Sequence, residues 1–170
     1  MGTPDRIADA IRLATDSPAA TMELGARLAE CLEPGDILGL VGTLGAGKTC
    51  LAKGIARGLG VDEQRRVISP SYVLMRQYQG RLTLSHFDAY RLESAAQMEE
   101  IGCQETFDGG GVSVIEWADH VASCLPPKHI LITIRVTGPV QRQIVLNAAG
   151  RGSSARLRKI GRALAPWVTP

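Results

Sequence analysis

Eight consecutive residues constrain this chain more than any others. Gly42-Thr43-Leu44-Gly45-Ala46-Gly47-Lys48-Thr49 fits the pattern G-x-x-x-x-G-K-[ST], which about one shuffled chain in a hundred of this composition would contain. The flanks agree with it. Ile37-Leu38-Gly39-Leu40-Val41 is an apolar run too short for a helix and suited to a buried strand. Leu51, Ile55 and Leu59 recur at every fourth residue, which predicts a helix over 48–59 ending at Gly60. A strand, a glycine loop and a helix in that order form a cradle for a phosphate. Glycines let backbone amides curl around an anion without Cβ clashes. The start of the helix adds unpaired N–H groups and its positive dipole end. Gly42, Leu44, Gly45, Ala46 and Gly47 would supply the backbone of the cradle. Lys48 would reach the β and γ phosphates, and the Thr49 hydroxyl is placed to hold magnesium.

The rest of the chain alternates strand and helix signals. A short edge strand is predicted near Ala10 to Thr15. Ser17-Pro18 reads as a helix start, a hydroxyl cap followed by proline at the first helical position. Leu24, Leu28, Ala29 and Leu32 line one face of that helix, which stops at Pro34-Gly35. Tyr72 to Gln79 and Arg81 to Phe87 read as a hairpin about Gly80. Residues 94–107 look helical with a break at Gly102, and Asp108 to Gly111 is a turn. Val112 to Ile115 is a second short apolar strand. Ile130 to Val136 and Gln141 to Leu146 form a further pair joined at Gly138-Pro139, and Ser154 to Leu164 closes the chain as a helix. The expected fold is α/β, a P-loop NTPase-like mixed β-sheet flanked by helices. A length of 170 residues fits a single ATPase domain over 1–170, with a basic segment at about 151–170.

Magnesium bound at such a loop requires a carboxylate, normally at the end of an apolar strand beside the loop strand. Two residues qualify: Asp88 after Leu82 to Phe87, and Glu116 after the more apolar Val112 to Ile115. Ile68-Ser69-Pro70-Ser71 is a hydroxyl-bearing loop of the kind that senses a γ-phosphate. His86, His120 and His129 show no metal spacing and read as core or surface residues; Trp117 reads as packing. Guanine is excluded, because the single asparagine, Asn147, precedes Ala148-Ala149 and no Thr-Lys pair exists; Asp108-Gly109-Gly110-Gly111 is only a short D-x-x-G match. Adenine is therefore the expected base, and ATP with magnesium the expected ligands. A small-molecule kinase would carry an arginine-rich lid, yet Arg91 is the sole Lys or Arg between residues 82 and 127. A nucleotide-dependent interaction module with negligible turnover is the other alternative.

Charge and cysteine placement add less. Residues 1–134 hold 12 basic and 17 acidic side chains, a balance of −5, whereas residues 135–170 hold seven basic and no acidic ones, a balance of +7. That end is either a surface for nucleic acid or an acidic partner, or a solvated basic helix. If it binds, neutralising Arg156, Arg158 and Lys159 should weaken complex formation and flatten its salt dependence. Cys31, Cys50, Cys103 and Cys124 show no Cys-x-x-Cys spacing and read as small apolar residues. No run approaches the ~20 apolar residues of a membrane span. The first thirty residues carry Asp5, Asp9, Asp16 and Glu23 without a signal-type apolar block, so a cytoplasmic location is expected.

Four motifs in order resemble the TsaE family of bacterial tRNA threonylcarbamoyladenosine ATPases. They are G-x-L-G-A-G-K-T at 42–49, S-P-S-Y-V-L at 69–74, H-F-D-A-Y-R-L at 86–92 and E-W at 116–117, within a resemblance running from about Thr21 to Arg142. The resemblance implies an ATPase that works with TsaD and TsaB to place threonylcarbamoyl on the adenosine beside the tRNA anticodon, resetting the complex rather than transferring the group. It implies nucleotide and magnesium roles for Lys48 and Thr49, a metal-side role for Glu116, a hydrolytic role for Asp88 and a place near the nucleotide for Trp117. Thr21 resembles a residue near the adenine, and Arg142 an arginine of the last strand pair. Three positions depart from the family pattern. Thr43 stands for an acid, Cys50 for a threonine and Ser71 for a threonine.

Overall fold

Ser17 and Pro18 begin the first helix as their chemistry requires. The Ser17 hydroxyl accepts the Ala20 N–H at 3.1 Å, and Pro18 occupies the first turn, where its missing N–H costs nothing. The computed structural model describes residues 10–170, so residues 1–9 of the expected single domain, with Asp5 and Asp9, lie outside the described residues. In chain order the elements are β1 (Ile11–Thr15), α1 (Pro18–Glu30), β2 (Ile37–Val41), α2 (Lys48–Gly58), β3 (Met75–Tyr78), β4 (Leu84–Asp88), α3 (Ala95–Glu100), α4 (Cys103–Asp108), β5 (Val112–Glu116), β6 (Ile130–Val136), β7 (Arg142–Ala148) and α5 (Ser153–Ala163). A 3₁₀ segment, Ala118–Cys124, links β5 to β6.

The strands form one sheet in the order β1-β7-β6-β2-β5-β4-β3. Its centre, β6-β2-β5-β4, is parallel, while β7 and β1 extend one side and β3 the other by antiparallel pairing. Every residue of β4 and β5 is buried, as short apolar strands covered on both faces must be. The mixed α/β sheet flanked by helices is thus the architecture observed. In the register of the parallel strands Asp88 lies beside Glu116, and Glu116 beside Leu40 of β2. Both acids therefore finish their strands at the edge from which the glycine loop springs.

Helices α1 and α2 pack together on one face. Their approach is so close that a Cβ at Gly54 would lie 2.1 Å from the Met22 carbonyl oxygen. Backbone cannot yield as a flexible side chain can. Gly54→Ala is expected to destabilise the protein by about 1–3 kcal/mol through forced separation of α1 and α2. A urea or thermal unfolding midpoint equal to wild type would contradict this.

Two expectations needed correction. The first strand of the hairpin covers only Met75–Tyr78, not Tyr72 to Gln79, because residues 71–73 form a turn in which the Pro70 carbonyl accepts both the Val73 and Leu74 amides. Its partner begins at Leu84, not Arg81: the Arg81 N–H is taken by the Leu59 carbonyl and its guanidinium by the Ala29 and Leu32 carbonyls. The basic end forms helix α5, with an apolar side turned inward. Helix α5 buries Leu157 and Ile160, and Leu164 at its C-terminal cap is buried with them. On its other side Arg156 pairs with Glu33 at 2.9 Å and with Asp36, and Lys159 pairs with Glu33 at 2.8 Å. Lys159 and Arg156 hold the Glu33 carboxyl below its ordinary pKa. Neutralising Arg156 and Lys159 would therefore loosen α5 from the α1–β2 turn, which makes them poor probes of tRNA binding.

Candidate functional site

Within the glycine loop the Ala46 N–H donates to the Thr43 carbonyl at 3.0 Å, so that amide is already taken. Helix α2 starts at Gly47 with φ 111°, and no side chain caps it. Gly45 has φ 77°, and the space a Cβ would occupy is open at both glycines. These are conformations L side chains rarely adopt, and they bend the backbone around an open concavity. Arg142, at the start of β7, braces the loop from outside. Its Nε donates to the Ala46 carbonyl at 2.7 Å and its guanidinium also reaches the Gly45 carbonyl at 3.2 Å. A trans peptide points its N–H opposite to its C=O. Holding the Ala46 carbonyl therefore turns the Gly47 N–H away from Arg142.

Lys48 is 5 % exposed and lies along the loop. Its ammonium donates to the Gly42 and Thr43 carbonyls at 2.6 and 2.9 Å and sits 3.7 Å above the Trp117 ring. Burial pushes its pKa down, against the opposing pull of Glu116, Asp119 and Asp88. Trp117 holds φ 58°, a left-handed conformation uncommon for a bulky residue. Its ring also meets Tyr90, at 4.8 Å between centroids. The residue that reads as packing from sequence thus forms a wall beside Lys48.

The two strand-end acids have separate surroundings. The Thr49 hydroxyl donates to Glu116 Oε2 at 2.8 Å, and His86 Nε2 meets Glu116 Oε1 at 2.8 Å. Glu116 is on the strand next to the loop strand, whereas Asp88 is one strand further out. Asp88 Oδ2 accepts from Ser69 and from Ser71, the latter at 2.9 Å, and Oδ1 accepts the Tyr90 N–H at 2.9 Å. The hydroxyl loop is thereby fastened to Asp88. It ends at Leu74, whose φ of 64° is the one other left-handed non-glycine among the described residues.

Leu44, Gly45 and Gly47 of the loop, Lys48, Thr49 and both acids line one cleft of about 440 Å³ with Ser69, Ser71 and Trp117, whereas Gly42 and Ala46 do not. Thr21 is not among its lining residues. The Thr21 hydroxyl pairs with that of Thr15 at 2.8 Å, and the start of α1 touches the cleft rim where the Cys50 sulfur meets the Pro18 carbonyl at 3.2 Å. Asp108 to Gly111 end α4 and do not line the cleft either. Sequence reasoning missed the part played by His86. The available signal was spacing: residues 86 and 88 share one face of a strand, so His86 had to lie on the face of Asp88. The four cysteines are free thiols, Cys103 and Cys124 buried, and burial raises all four, Cys103 to about 11.

A family model described as threonylcarbamoyl adenosine biosynthesis protein TsaE matches residues 15–144. The chain belongs to the TsaE family. A Treponema pallidum protein named as tRNA threonylcarbamoyladenosine biosynthesis protein TsaE is 43% identical over 136 residues, 80% of this chain and 99% of that one. Its Bacillus subtilis namesake is 39% identical over 137 residues, covering 80% and 84%. The crystal structure of Bacillus subtilis YdiB superposes with a TM-score of 0.80 at 32% identity, over 93% of this chain and 98% of that one. The departures from the TsaE pattern leave the cleft its polar groups. Thr43 serves Lys48 through its backbone carbonyl, and Ser71 still presents a hydroxyl to Asp88. The TsaE match stops within β7, so α5 lies beyond it.

Proposed function

We propose that this TsaE-family chain is a magnesium-dependent ATPase, slow alone, that works with TsaD- and TsaB-type proteins to install threonylcarbamoyladenosine beside the tRNA anticodon. The observation carrying the reading is the convergence of an uncapped glycine loop, a buried lysine and two differently held carboxylates in one cleft. Gly45, Gly47 and the first amides of α2 receive the β and γ phosphates of ATP, and Lys48 swings from the Gly42 and Thr43 carbonyls to them. Thr49 and Glu116 offer hard oxygens 2.8 Å apart. Among the described residues no group of three or more His, Cys, Asp and Glu could hold a metal alone. That suits magnesium, which keeps water and phosphate oxygens as ligands and needs few from the protein. Bound there, magnesium would neutralise charge developing on the phosphates. Asp88 orients the attacking water, and Ser71 relays the state of the γ-phosphate to it. Contact with tRNA comes through the complex. Among the described residues no helix is long and apolar enough to cross a membrane, and a tRNA-modifying role requires the cytoplasm.

The test is an ATPase assay of the chain alone, then with both partner proteins, then with tRNA. Slow turnover alone and stimulation in the complex are expected. Nucleotide binding without turnover in any mixture would instead support the interaction module. A kinase has no comparable support: Arg91, which would have to start a lid, stacks 4.4 Å over the Tyr72 ring.

A further inference from the structure

We propose that His86 is a positioning residue, whose imidazole sets the orientation of the Glu116 carboxylate and thereby the magnesium side of the cleft. The inference rests on the nucleotide reading above and adds a residue to it. His86 is 0% exposed, on a strand whose five residues are all buried. Its Nε2 meets Glu116 Oε1 at 2.8 Å, while the other oxygen of the same carboxylate receives the Thr49 hydroxyl at 2.8 Å. His86, Glu116 and Thr49 thus form one line of contacts from the sheet interior to the first turn of α2. Glu116 is 2% exposed, and a buried carboxylate with a single neutral donor is poorly satisfied. The second donor removes that deficit and restricts rotation about the last side-chain bond.

The remaining imidazole nitrogen shows what the arrangement costs. His86 Nδ1 is buried and has no hydrogen-bond partner among the described residues. A leucine or methionine would fill this place in the core with no unpaired polar atom. The feature that distinguishes histidine here is the contact it makes with Glu116. A donor held in that contact requires the tautomer protonated at Nε2, with Nδ1 left as a bare acceptor. Ligand-orienting partners of this kind typically change metal affinity 10–100-fold when removed.

The experiment compares wild type, His86→Leu, His86→Gln, Glu116→Gln and the double variant His86→Leu/Glu116→Gln. ADP affinity is measured by calorimetry at a series of magnesium concentrations and without magnesium, and unfolding midpoints are recorded without ligand. The expected result for His86→Leu is a half-saturating magnesium concentration raised at least tenfold, with magnesium-free ADP affinity within about twofold of wild type. His86→Gln, whose carboxamide can donate to Oε1, should recover at least half of that loss on a logarithmic scale. In the Glu116→Gln background, His86→Leu should change the magnesium response no further. An unchanged magnesium response in folded His86→Leu would overturn the proposal, and so would His86→Gln as deficient as His86→Leu. If His86→Leu fails to fold, His86→Gln and Glu116→Gln decide it through imidazole nitrogen spectra of the ligand-free protein. Wild type should show the Nε2-protonated tautomer, and Glu116→Gln should shift that resonance; an Nδ1-protonated ring would overturn the proposal. ADP binding that ignores magnesium in wild type would count against the magnesium reading of Glu116 itself, and the spectra would still judge the contact.

Discussion

Lys48→Ala is expected to lower ATP affinity by about 10–150-fold and to bring hydrolysis to background. In the proposed ATPase reading the ammonium is the side-chain cation that meets the phosphates, and charge-assisted contacts contribute roughly 1.5–3 kcal/mol each, tenfold for every 1.4 kcal/mol. Its present contacts show why the effect should be so concentrated. Lys48 lies 5 % exposed between the Gly42 and Thr43 carbonyls and the Trp117 ring, and burial already lowers its pKa. A cation so poorly hydrated loses little water when a phosphate replaces the two carbonyls, so the new contact keeps most of its strength. Titration calorimetry with ATP and with ADP checks the affinity, and phosphate release checks turnover. Wild-type values for both in a folded variant would remove the lysine from the mechanism. The circular dichroism spectrum should not change, because alanine is a strong helix former and leaves the backbone bonds of α2 in place.

The second large effect separates the two acids. Asp88→Ala is expected to keep nucleotide affinity within a few-fold and to lose about 10²–10⁴ in kcat, the usual range for a group that handles a proton or orients water. Glu116→Ala should raise the magnesium requirement at least tenfold, with a turnover loss that added magnesium partly restores. The reason is positional. Glu116 ends the strand adjoining the loop strand and bonds Thr49, whereas Asp88 ends the next strand and bonds Ser69, Ser71 and the Tyr90 amide. Magnesium titrations of the ATPase rate in both variants decide the matter. Identical responses would mean that the two carboxylates share one task.

Removing Asp88 has a second expected consequence. Ser69 and Ser71 would lose their common acceptor, and the segment that ends at left-handed Leu74 would be held chiefly by the Asp88 N–H to Leu74 carbonyl bond. Proteolysis within residues 69–74 should become faster in Asp88→Ala than in wild type. A cleavage rate equal to wild type would show that the turn is held by its own backbone bonds at Pro70.

Much of this protein can be read from its residues alone because the signals are local. Gly42 to Thr49 bring their own conformational requirements, and an apolar run before and a four-residue spacing after leave one arrangement. Ser17-Pro18 and the αL glycine at 102 placed helix ends for the same reason. Asp88 and Glu116 were recognisable as strand-end acids from the runs that precede them. What pairs across the sheet was not legible. The choice of which acid adjoins the loop depends on strand order, and strand order depends on how helices cover both faces, a property of the whole sheet. His86 looked like a core residue and is one, but its neighbour Glu116 is thirty positions away. Arg142 reaches the loop across nearly a hundred residues, and Arg156 neutralises Glu33 and Asp36 across more. The strand, glycine loop and helix start follow from local sequence alone, because backbone dihedrals and helix starts are set by residues within one or two turns. The environment of each carboxylate and the pairing of the basic helix came from long-range folding, because a charge's energy depends on whatever the folded chain brings within a few ångströms of it.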